Sequence, residues 1–209
     1  MLESLTGLGL ATSAGLNAYI PLLSIGLLAR YTDLITLPSS WAWMENGWTL
    51  AIIAVLLAIE FVADKVPMID HVNDFLQTFV RPTAGGLAFG AVSGAQTVTV
   101  SDPGSFFTSH QWVPIVAGGA ISLGVHGMKA VSRPLINATT VGFGAPIVST
   151  IEDFASVALS VVAIVLPILV LLFLVLLFLG FGWLMRRRKR RKQEQAAARW
   201  AAAQGWRPS

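Results

Sequence analysis

A long run without a charged residue, from Ala155 to Met185, most restricts what this chain can fold into. At about 1.5 Å per residue, such a helix is longer than the ~30 Å hydrocarbon core of a membrane, so it would tilt, extend past the membrane or bend at Pro167. The basic run RRRKRRK at 186–192 follows directly, and clustered Lys and Arg mark the cytoplasmic side. The sequence therefore predicts a helical membrane protein with a cytoplasmic C-terminus.

The overall composition agrees with this prediction. Charged residues make up 12% of the chain, whereas a soluble domain carries roughly 25%. Residues 1–185 hold five basic and ten acidic residues, and the tail from Arg186 onward holds nine basic residues against one acidic residue. The absence of cysteine excludes disulfides, thiolate nucleophiles and thiolate metal sites. Glu3 replaces the positive start of a secretory signal, which predicts a retained first helix.

The first hydrophobic segment, residues 5–29, combines small residues with two helix-disturbing ones. Gly7, Ala11 and Gly15 are four apart, a pattern of close packing between membrane helices. Asn17 and Pro21 follow in the same apolar run. The segment is expected to kink or break inside the protein, and an ordinary packed helix with a proline kink is the alternative.

A polar loop, residues 30–47, leads to a second predicted span at 49–63. Trp41, Trp43 and Trp48 cluster around this loop and are expected at the membrane–water interface. The second span ends in the acidic stretch EFVADKVPMIDHVNDF, residues 60–75. Ionisable groups so close to the hydrocarbon are costly and indicate a functional site by default.

Pro67 is expected to begin a helix, because its missing N–H costs nothing in the first turn. The predicted helix is amphipathic and ends at Arg81-Pro82. It would lie along the interface, dip into the membrane, or cross with its polar face turned inward. The residues of that polar face are Asp70, Asp74, Gln77 and Arg81; those of the apolar face are Ile69, Val72, Leu76 and Phe79.

The second half of the chain contains further apolar segments. Residues 83–100 are glycine-rich and include Gln96, residues 113–131 form a span with His126, and SRPLINATTVGFGAP (132–146) is expected to be a connection. His126 is either a proton-relay group or a histidine bonded to a backbone carbonyl.

A shift of 79 residues reveals a weak internal repeat. It places Gly7, Ala11 and Gly15 on Gly86, Gly90 and Gly94, Asn17 on Gln96, and PMIDHVNDF (67–75) on PIVSTIEDF (146–154). If each unit crosses three times, the units are inverted, and inverted units with broken helices are a transporter architecture. If the amphipathic helices do not cross, the repeats are parallel.

The predicted fold is an all-α polytopic membrane bundle of five to six transmembrane or re-entrant helices built from these repeats. The membrane domain covers residues 1–185, with repeat one at about 5–81, repeat two at about 84–165 and a long closing helix at about 152–185. Residues 186–209 form a basic cytoplasmic tail.

Three stretches also carry a family resemblance: TSAGLNAYIPLL near the start, EFVADKVPMIDHVNDF after the second span, and VRPTAGG. With the long closing span, the chain resembles the bacterial membrane-protein family catalogued as domain of unknown function 4126, over about residues 4–180. The resemblance implies a bacterial polytopic membrane protein and supplies no catalytic residue.

The principal functional hypothesis is a small inner-membrane transporter or flippase with a polar site between the repeats. Asn17 and Gln96 would contact substrate. Coupling to protons or cations would involve Glu60, Asp64, Asp74 and Asp153, with Asp70, His71, His126 and Glu152 as further candidates.

Two alternatives come from other classes. A scaffold would recruit partners or anionic lipid headgroups through Arg186, Arg187, Arg188, Lys189, Arg190, Arg191 and Lys192. A magnesium-dependent intramembrane enzyme on a lipid-linked substrate would use Asp70 and Asp74, but Ser149 replaces the matching acid in the second repeat, and Asp70 also suits a helix cap. We expect no catalysis, no cofactor and no nucleic acid, leave the metal open, and expect the lipid bilayer and a second copy of the chain as partners.

Overall fold

The structure, a computed structural model, describes residues 2–65, 67–94, 110, 112–140, 144–167, 169, 172, 175–183 and 185–188, with the backbone alone at 67–72, 134–135, 137–139 and 145. The chain divides into two compact units, Met1–Val170 and Leu171–Ser209. The helices described below belong to the first unit, and in the second the described residues are helical.

The first hydrophobic segment consists of two helices, α1 (Leu2–Leu16) and α2 (Tyr19–Tyr31). The break lies at Asn17, whose Oδ1 accepts hydrogen bonds from the backbone N–H groups of Tyr19 (3.1 Å) and Ile20 (3.2 Å). An amide side chain thus replaces the missing helical acceptors at the start of α2. Pro21 lies in the first turn of α2, where it lacks no hydrogen bond. The predicted break is therefore present, and its cause is Asn17.

A 3₁₀ helix, Ser39–Glu45, precedes α3 (Gly47–Ala63) at an angle of 58°. Asn46 Oδ1 accepts from the Trp48 N–H at 2.8 Å and caps α3. Trp43 is 44% and Trp48 81% exposed, but Trp41 is fully buried. The Trp41 ring packs inside the unit, in space left by a glycine: a Cβ at Gly90 would lie 3.0 Å from it.

Helix α4 (Pro67–Val92) begins at Pro67 as predicted but does not end at Arg81-Pro82. Pro82 removes one helical hydrogen bond. However, α4 and α5 (Trp112–Thr140) pack together more extensively than any other pair of helices described. Ser122 Oγ of α5 also donates to the Arg81 carbonyl at 2.7 Å. Tertiary packing therefore overrides the local stop signal.

The connection predicted at 132–146 is also wrong in its first part, since α5 continues through Pro134 to Thr140. Arg133, the residue before this proline, is held by ion pairs with two acidic side chains. The next helix, α6, spans Gly144–Val165. The closing helix predicted at 152–185 is not continuous, because Leu166 and Pro167 are not helical.

Small residues bring the helices close together, as the four-residue spacing predicts. A Cβ at Gly85 of α4 would lie 2.7 Å from the Gly118 carbonyl oxygen of α5, and one at Gly15 of α1 would lie 2.7 Å from the Ser122 carbonyl oxygen. Gly94 differs: it has φ +68° after the end of α4, and a Cβ there would meet nothing within 4 Å. Helix α1 thereby reaches the centre of the unit, in contact with α4, α5 and α6.

The distribution of polarity is inverted relative to a soluble protein. In α4 the polar residues Gln77 and Arg81 are buried, whereas Phe79 is 65% exposed. Trp112–Arg133 and Pro146–Val165 are long and apolar enough to cross a membrane, and the bent pair Ser39–Glu45 and Gly47–Ala63 adds a third candidate among the described residues. These features indicate a membrane protein with an all-helical described fold.

Candidate functional site

Six charged side chains from four helices form one buried group, which we call the charge network. Its acids are Glu60 at the end of α3, Asp64 just after α3, and Glu152 of α6; its bases are Arg81 of α4 and Lys129 and Arg133 of α5. The three acidic and three basic groups balance in charge. Charges inside an apolar bundle persist only when paired, and each of these is paired.

Asp64 is the centre of the network. Its Oδ2 lies 3.1 Å from Lys129 Nζ, 3.2 Å from Arg133 Nη2 and 3.9 Å from Arg81 Nη2. Ser149 Oγ donates to the same oxygen at 3.3 Å, and Asn73 donates to the other. Burial acts to raise the pKa of Asp64, but Lys129, Arg133 and Arg81 act against it, and the net effect is a lowered pKa.

Glu60 has a different environment, although it lies one turn away on the same helix. Its Oε1 accepts from Arg81 Nη2 at 3.0 Å, while Oε2 has no hydrogen-bond partner among the described residues. Arg81 is fully buried and Glu60 is 2% exposed. A buried carboxylate oxygen without a partner is costly, so Glu60 is the network acid best able to accept a further donor.

Glu152 closes the network on the side of α6. Its Oε2 lies 2.9 Å from Lys129 Nζ and 3.1 Å from Arg133 Nη2. Lys129 and Arg133, four residues apart on one face of α5, therefore each contact both Glu152 and Asp64. These two bases therefore link α6 to the end of α3.

The network also holds the broken end of α1. Arg81 Nη1 donates to the Gly15 carbonyl at 3.1 Å and Lys129 Nζ donates to the Leu16 carbonyl at 3.3 Å. The last carbonyls of a helix have no intrahelical donor and carry partial negative charge. Arg81 and Lys129 supply the missing donors and so connect the end of α1 to the charge network.

His126 lies beside the network, and its hydrogen bonds indicate a neutral imidazole. Its Nδ1 is 3.1 Å from Arg81 Nη1, which can only donate, so Nδ1 accepts. Its Nε2 therefore carries the proton and donates to Thr78 Oγ1 at 3.2 Å. The backbone of Asp74 also hydrogen-bonds the ring, in agreement with the alternative predicted for His126, a bond to a backbone carbonyl.

Lys65 and Asp153 form a separate ion pair at the surface of the unit. Asp153 Oδ1 accepts from Asn17 Nδ2 at 3.0 Å, and Oδ2 is 3.4 Å from Lys65 Nζ. The Lys65 side chain is 23% exposed and its Nζ lies 3.2 Å from the centroid of the Phe61 ring. An ammonium thus sits between a carboxylate and an aromatic face.

A lateral groove of about 570 Å³ runs between α2, α3 and α6. Ile20, Leu57 and Val157 form part of its apolar wall, and Phe61, Asp153 and Phe154 line it as well. Because Asp153 contacts Lys65, the polar end of the groove is the end at which α3 terminates. The lining of the groove is thus almost wholly apolar, with the Lys65–Asp153 pair at one end.

The structure brings together several of the residues predicted from the sequence. Glu60, Asp64 and Glu152 join the charge network, His126 contacts it, and Asn17 bonds Asp153. Asp74 lies beside His126 but forms no ion pair with the network among the described residues, and its buried Oδ1 has no hydrogen-bond partner there.

Other predicted residues fall wholly or partly outside the described part of the chain. Gln96 and Lys189–Lys192 lie outside it, and Asp70 and His71 are described by backbone alone, within α4. Arg186–Arg188 are helical. Among the side chains that are described, no three His, Asp or Glu come together as a metal site.

The sequence interpretation missed the basic half of the site. Four basic residues are absent from the predicted substrate and coupling residues, but all four are ion-paired: Lys65, Arg81, Lys129 and Arg133. A signal was available: four of the five basic residues before the tail lie in or beside predicted helices, where an unpaired charge would be expensive.

Comparison with known families matches residues 4–187 to one family, described as Domain of unknown function (DUF4126). No curated protein and no solved structure matches the chain.

Proposed function

The chain belongs to the DUF4126 family of unknown function, and we propose that it is a small inner-membrane transporter or flippase. In this proposal the two weak repeats form two halves that move relative to each other. The charge network joins the halves, since Glu60, Asp64 and Arg81 belong to the first repeat and Lys129, Arg133 and Glu152 to the second. Helix α4 runs from the first repeat into the second.

The observation that carries this proposal is the charge network at a broken helix. Ionisable residues inside a membrane bundle mark ion and substrate pathways, and transporters place such sites at discontinuous helices near the interface of repeats. Here α1 ends beside Arg81 and Lys129, and both donate to its last carbonyls. A purely structural ion pair would not require an interrupted helix.

Within the network we assign proton coupling to Glu60. Asp64 is surrounded by three basic groups, which hold it ionised. Among the described residues, Glu60 has one direct ion-pair partner, and its Oε2 has no hydrogen-bond partner. A proton on Oε2 would weaken the bond to Arg81 and free that guanidinium to move.

The remaining parts of the proposal concern orientation. The run 186–192 would lie in the cytoplasm, where Lys and Arg predominate. Attraction to anionic headgroups would contribute ~1 kcal/mol per basic residue near the surface. The tail would thus orient the protein without taking part in transport.

Reconstituted vesicles test the function directly. Pyranine trapped inside would report proton movement under an imposed potential, and dithionite bleaching of NBD-phosphatidylethanolamine would report lipid movement. The wild-type protein is expected to accelerate at least one of these, and Glu60→Gln is expected to slow it by about tenfold or more, because a neutral amide cannot cycle a proton. About tenfold corresponds to ~1.4 kcal/mol on the barrier.

Glu3→Gln is the matched control, since Glu3 is exposed in the first turn of α1. Its rates should equal those of the wild type. A folded wild-type protein that moves neither protons nor lipid would refute the transporter proposal. Equal rates for Glu60→Gln and wild type would refute the assignment of coupling to Glu60.

A further inference from the structure

The polar end of the lateral groove already contains an ammonium site. Lys65 Nζ lies 3.4 Å from Asp153 Oδ2 and 3.2 Å from the Phe61 ring centroid. A carboxylate beside an aromatic face is the arrangement that proteins use to recognise ligand cations. Both Phe61 and Asp153 line the groove, whereas Lys65 does not.

This ammonium is weakly held in comparison with the charge network. At 3.4 Å the Lys65–Asp153 contact is longer than the 2.9 Å contact of Lys129 with Glu152, and Lys65 is 23% exposed against 2% for Lys129. Lys65 Nζ also donates to the Phe61 carbonyl at 3.1 Å. Because its pair with Asp153 is long and partly exposed, an incoming ammonium can take the place of Lys65 there, while Asn17 continues to hold the carboxylate at 3.0 Å.

The rest of the groove suits a hydrocarbon chain. Its volume of about 570 Å³ falls within the roughly 300–1,000 Å³ of typical ligand sites. Phe61 and Phe154 are 46% and 72% exposed, so the groove opens outward, toward the lipid of a surrounding membrane. A ligand with an apolar chain would enter from the side.

We propose that the groove binds an amphiphile with one hydrocarbon chain and an ammonium headgroup, which replaces the Lys65 ammonium at Asp153 and Phe61. The chain would lie along Leu57 and Val157. The inference deepens the proposed function by naming a cationic amphiphile as substrate class, and in this sense it rests on that function. The site itself is testable by binding alone.

The experiment compares three probes of equal chain length with the full-length protein in nanodiscs: dodecylamine, dodecanol and laurate. Competition with a spin-labelled alkylamine reports binding at the groove. Dodecylamine is expected to bind at least about tenfold more tightly than dodecanol, which is ~1.4 kcal/mol. Laurate, which would meet the Asp153 carboxylate, is expected to bind most weakly.

Three variants locate the site. Ala58→Phe fills the groove from an exposed position that lines it and should weaken dodecylamine binding by about tenfold or more. Ala51→Phe places the same side chain on α3 outside the groove lining and should leave binding unchanged. Asp153→Asn, which retains an acceptor for Asn17, should erase the preference for amine over alcohol.

Lys65→Met removes the internal competitor and should tighten dodecylamine binding several-fold. Equal binding of all three probes, with no effect of Ala58→Phe, would mean simple partitioning into lipid and would overturn the proposal. A preference for laurate would overturn the headgroup assignment.

If Asp153→Asn fails to fold, the probe preference and the comparison of Ala58→Phe with Ala51→Phe still test the proposal. Binding without transport would leave this site intact and reject the transporter, so the two failures can be told apart.

Discussion

Asp64 and Lys65 are neighbours in the sequence, yet they belong to two contrasting regions of the molecule. Asp64 is the buried centre of the charge network and contacts three basic groups, whereas Lys65 forms one long, partly exposed pair with Asp153. The turn after α3 directs one side chain inward and the next toward the lateral groove.

The difference separates charges that are costly to remove from charges that can be exchanged for others. In the network, each charge depends on several others, so loss of one leaves others buried and unpaired. At the groove, the pair is long and partly exposed, so one partner can be exchanged for another charged group. The first arrangement favours a cooperative change of the whole bundle, and the second favours exchange of a single group.

The largest effect is expected at the centre of the network. Asp64→Asn keeps the shape of the side chain but removes its negative charge. Lys129 and Arg133 would then have only Glu152 as an ionised partner in the network. It should lower the free energy of unfolding by about 3–5 kcal/mol. SDS titration in mixed micelles, followed by tryptophan fluorescence, measures this change.

Asp33→Asn provides the comparison, because Asp33 is exposed in the loop after α2. Its effect should remain within about 0.5 kcal/mol. A similar loss in both variants would contradict the contrast between buried and exposed charges.

An intermediate effect is expected within the network from a double-mutant cycle on Lys129 and Glu152, whose charged atoms are 2.9 Å apart. The variants are Lys129→Met, Glu152→Gln and both together, unfolded in the same micelles. Each single change leaves a buried charge short of a partner, so the double variant should be more stable than the sum predicts, by about 0.5–3 kcal/mol. Simple additivity would show that the two groups are energetically independent.

The smallest effect is expected at the groove. Lys65→Met should change the free energy of unfolding by less than about 1 kcal/mol, because the pair with Asp153 is partly exposed. Melting followed by tryptophan fluorescence, at low and at high salt, would measure it. A loss as large as that of Asp64→Asn would place Lys65 in the network and remove the distinction between the regions.

The sequence was sufficient for those features that depend on local composition. The break after α1, the start of α4 at Pro67 and the close packing at Gly15 follow from Asn, Pro and Gly chemistry. The family expected from the resemblance is also confirmed, over residues 4–187. The five to six spans and the two repeats stay predictions.

The sequence could not predict which charges meet, because ion pairing depends on contacts between distant helices. Lys129 and Asp64 are 65 residues apart, and no local pattern relates them. The same reason explains why α4 and α5 pass through Pro82 and Pro134: helix packing, absent from any short window of sequence, outweighs one lost hydrogen bond.

The pairing of Glu60 with Arg81 also bears on how the protein enters a membrane during synthesis. An isolated Arg at the centre of an inserting helix costs about 2.5–3.5 kcal/mol, which disfavours release of α4 into lipid by itself. Its counter-charge lies only 21 residues earlier, on α3, so Arg81 can enter already paired with Glu60 if the two helices insert as a hairpin. Lys129 and Arg133 find Asp64 on that hairpin and Glu152 on the following helix. Charge pairing thus suggests an order of biogenesis in which α3 and α4 insert together and α5 and α6 assemble onto them.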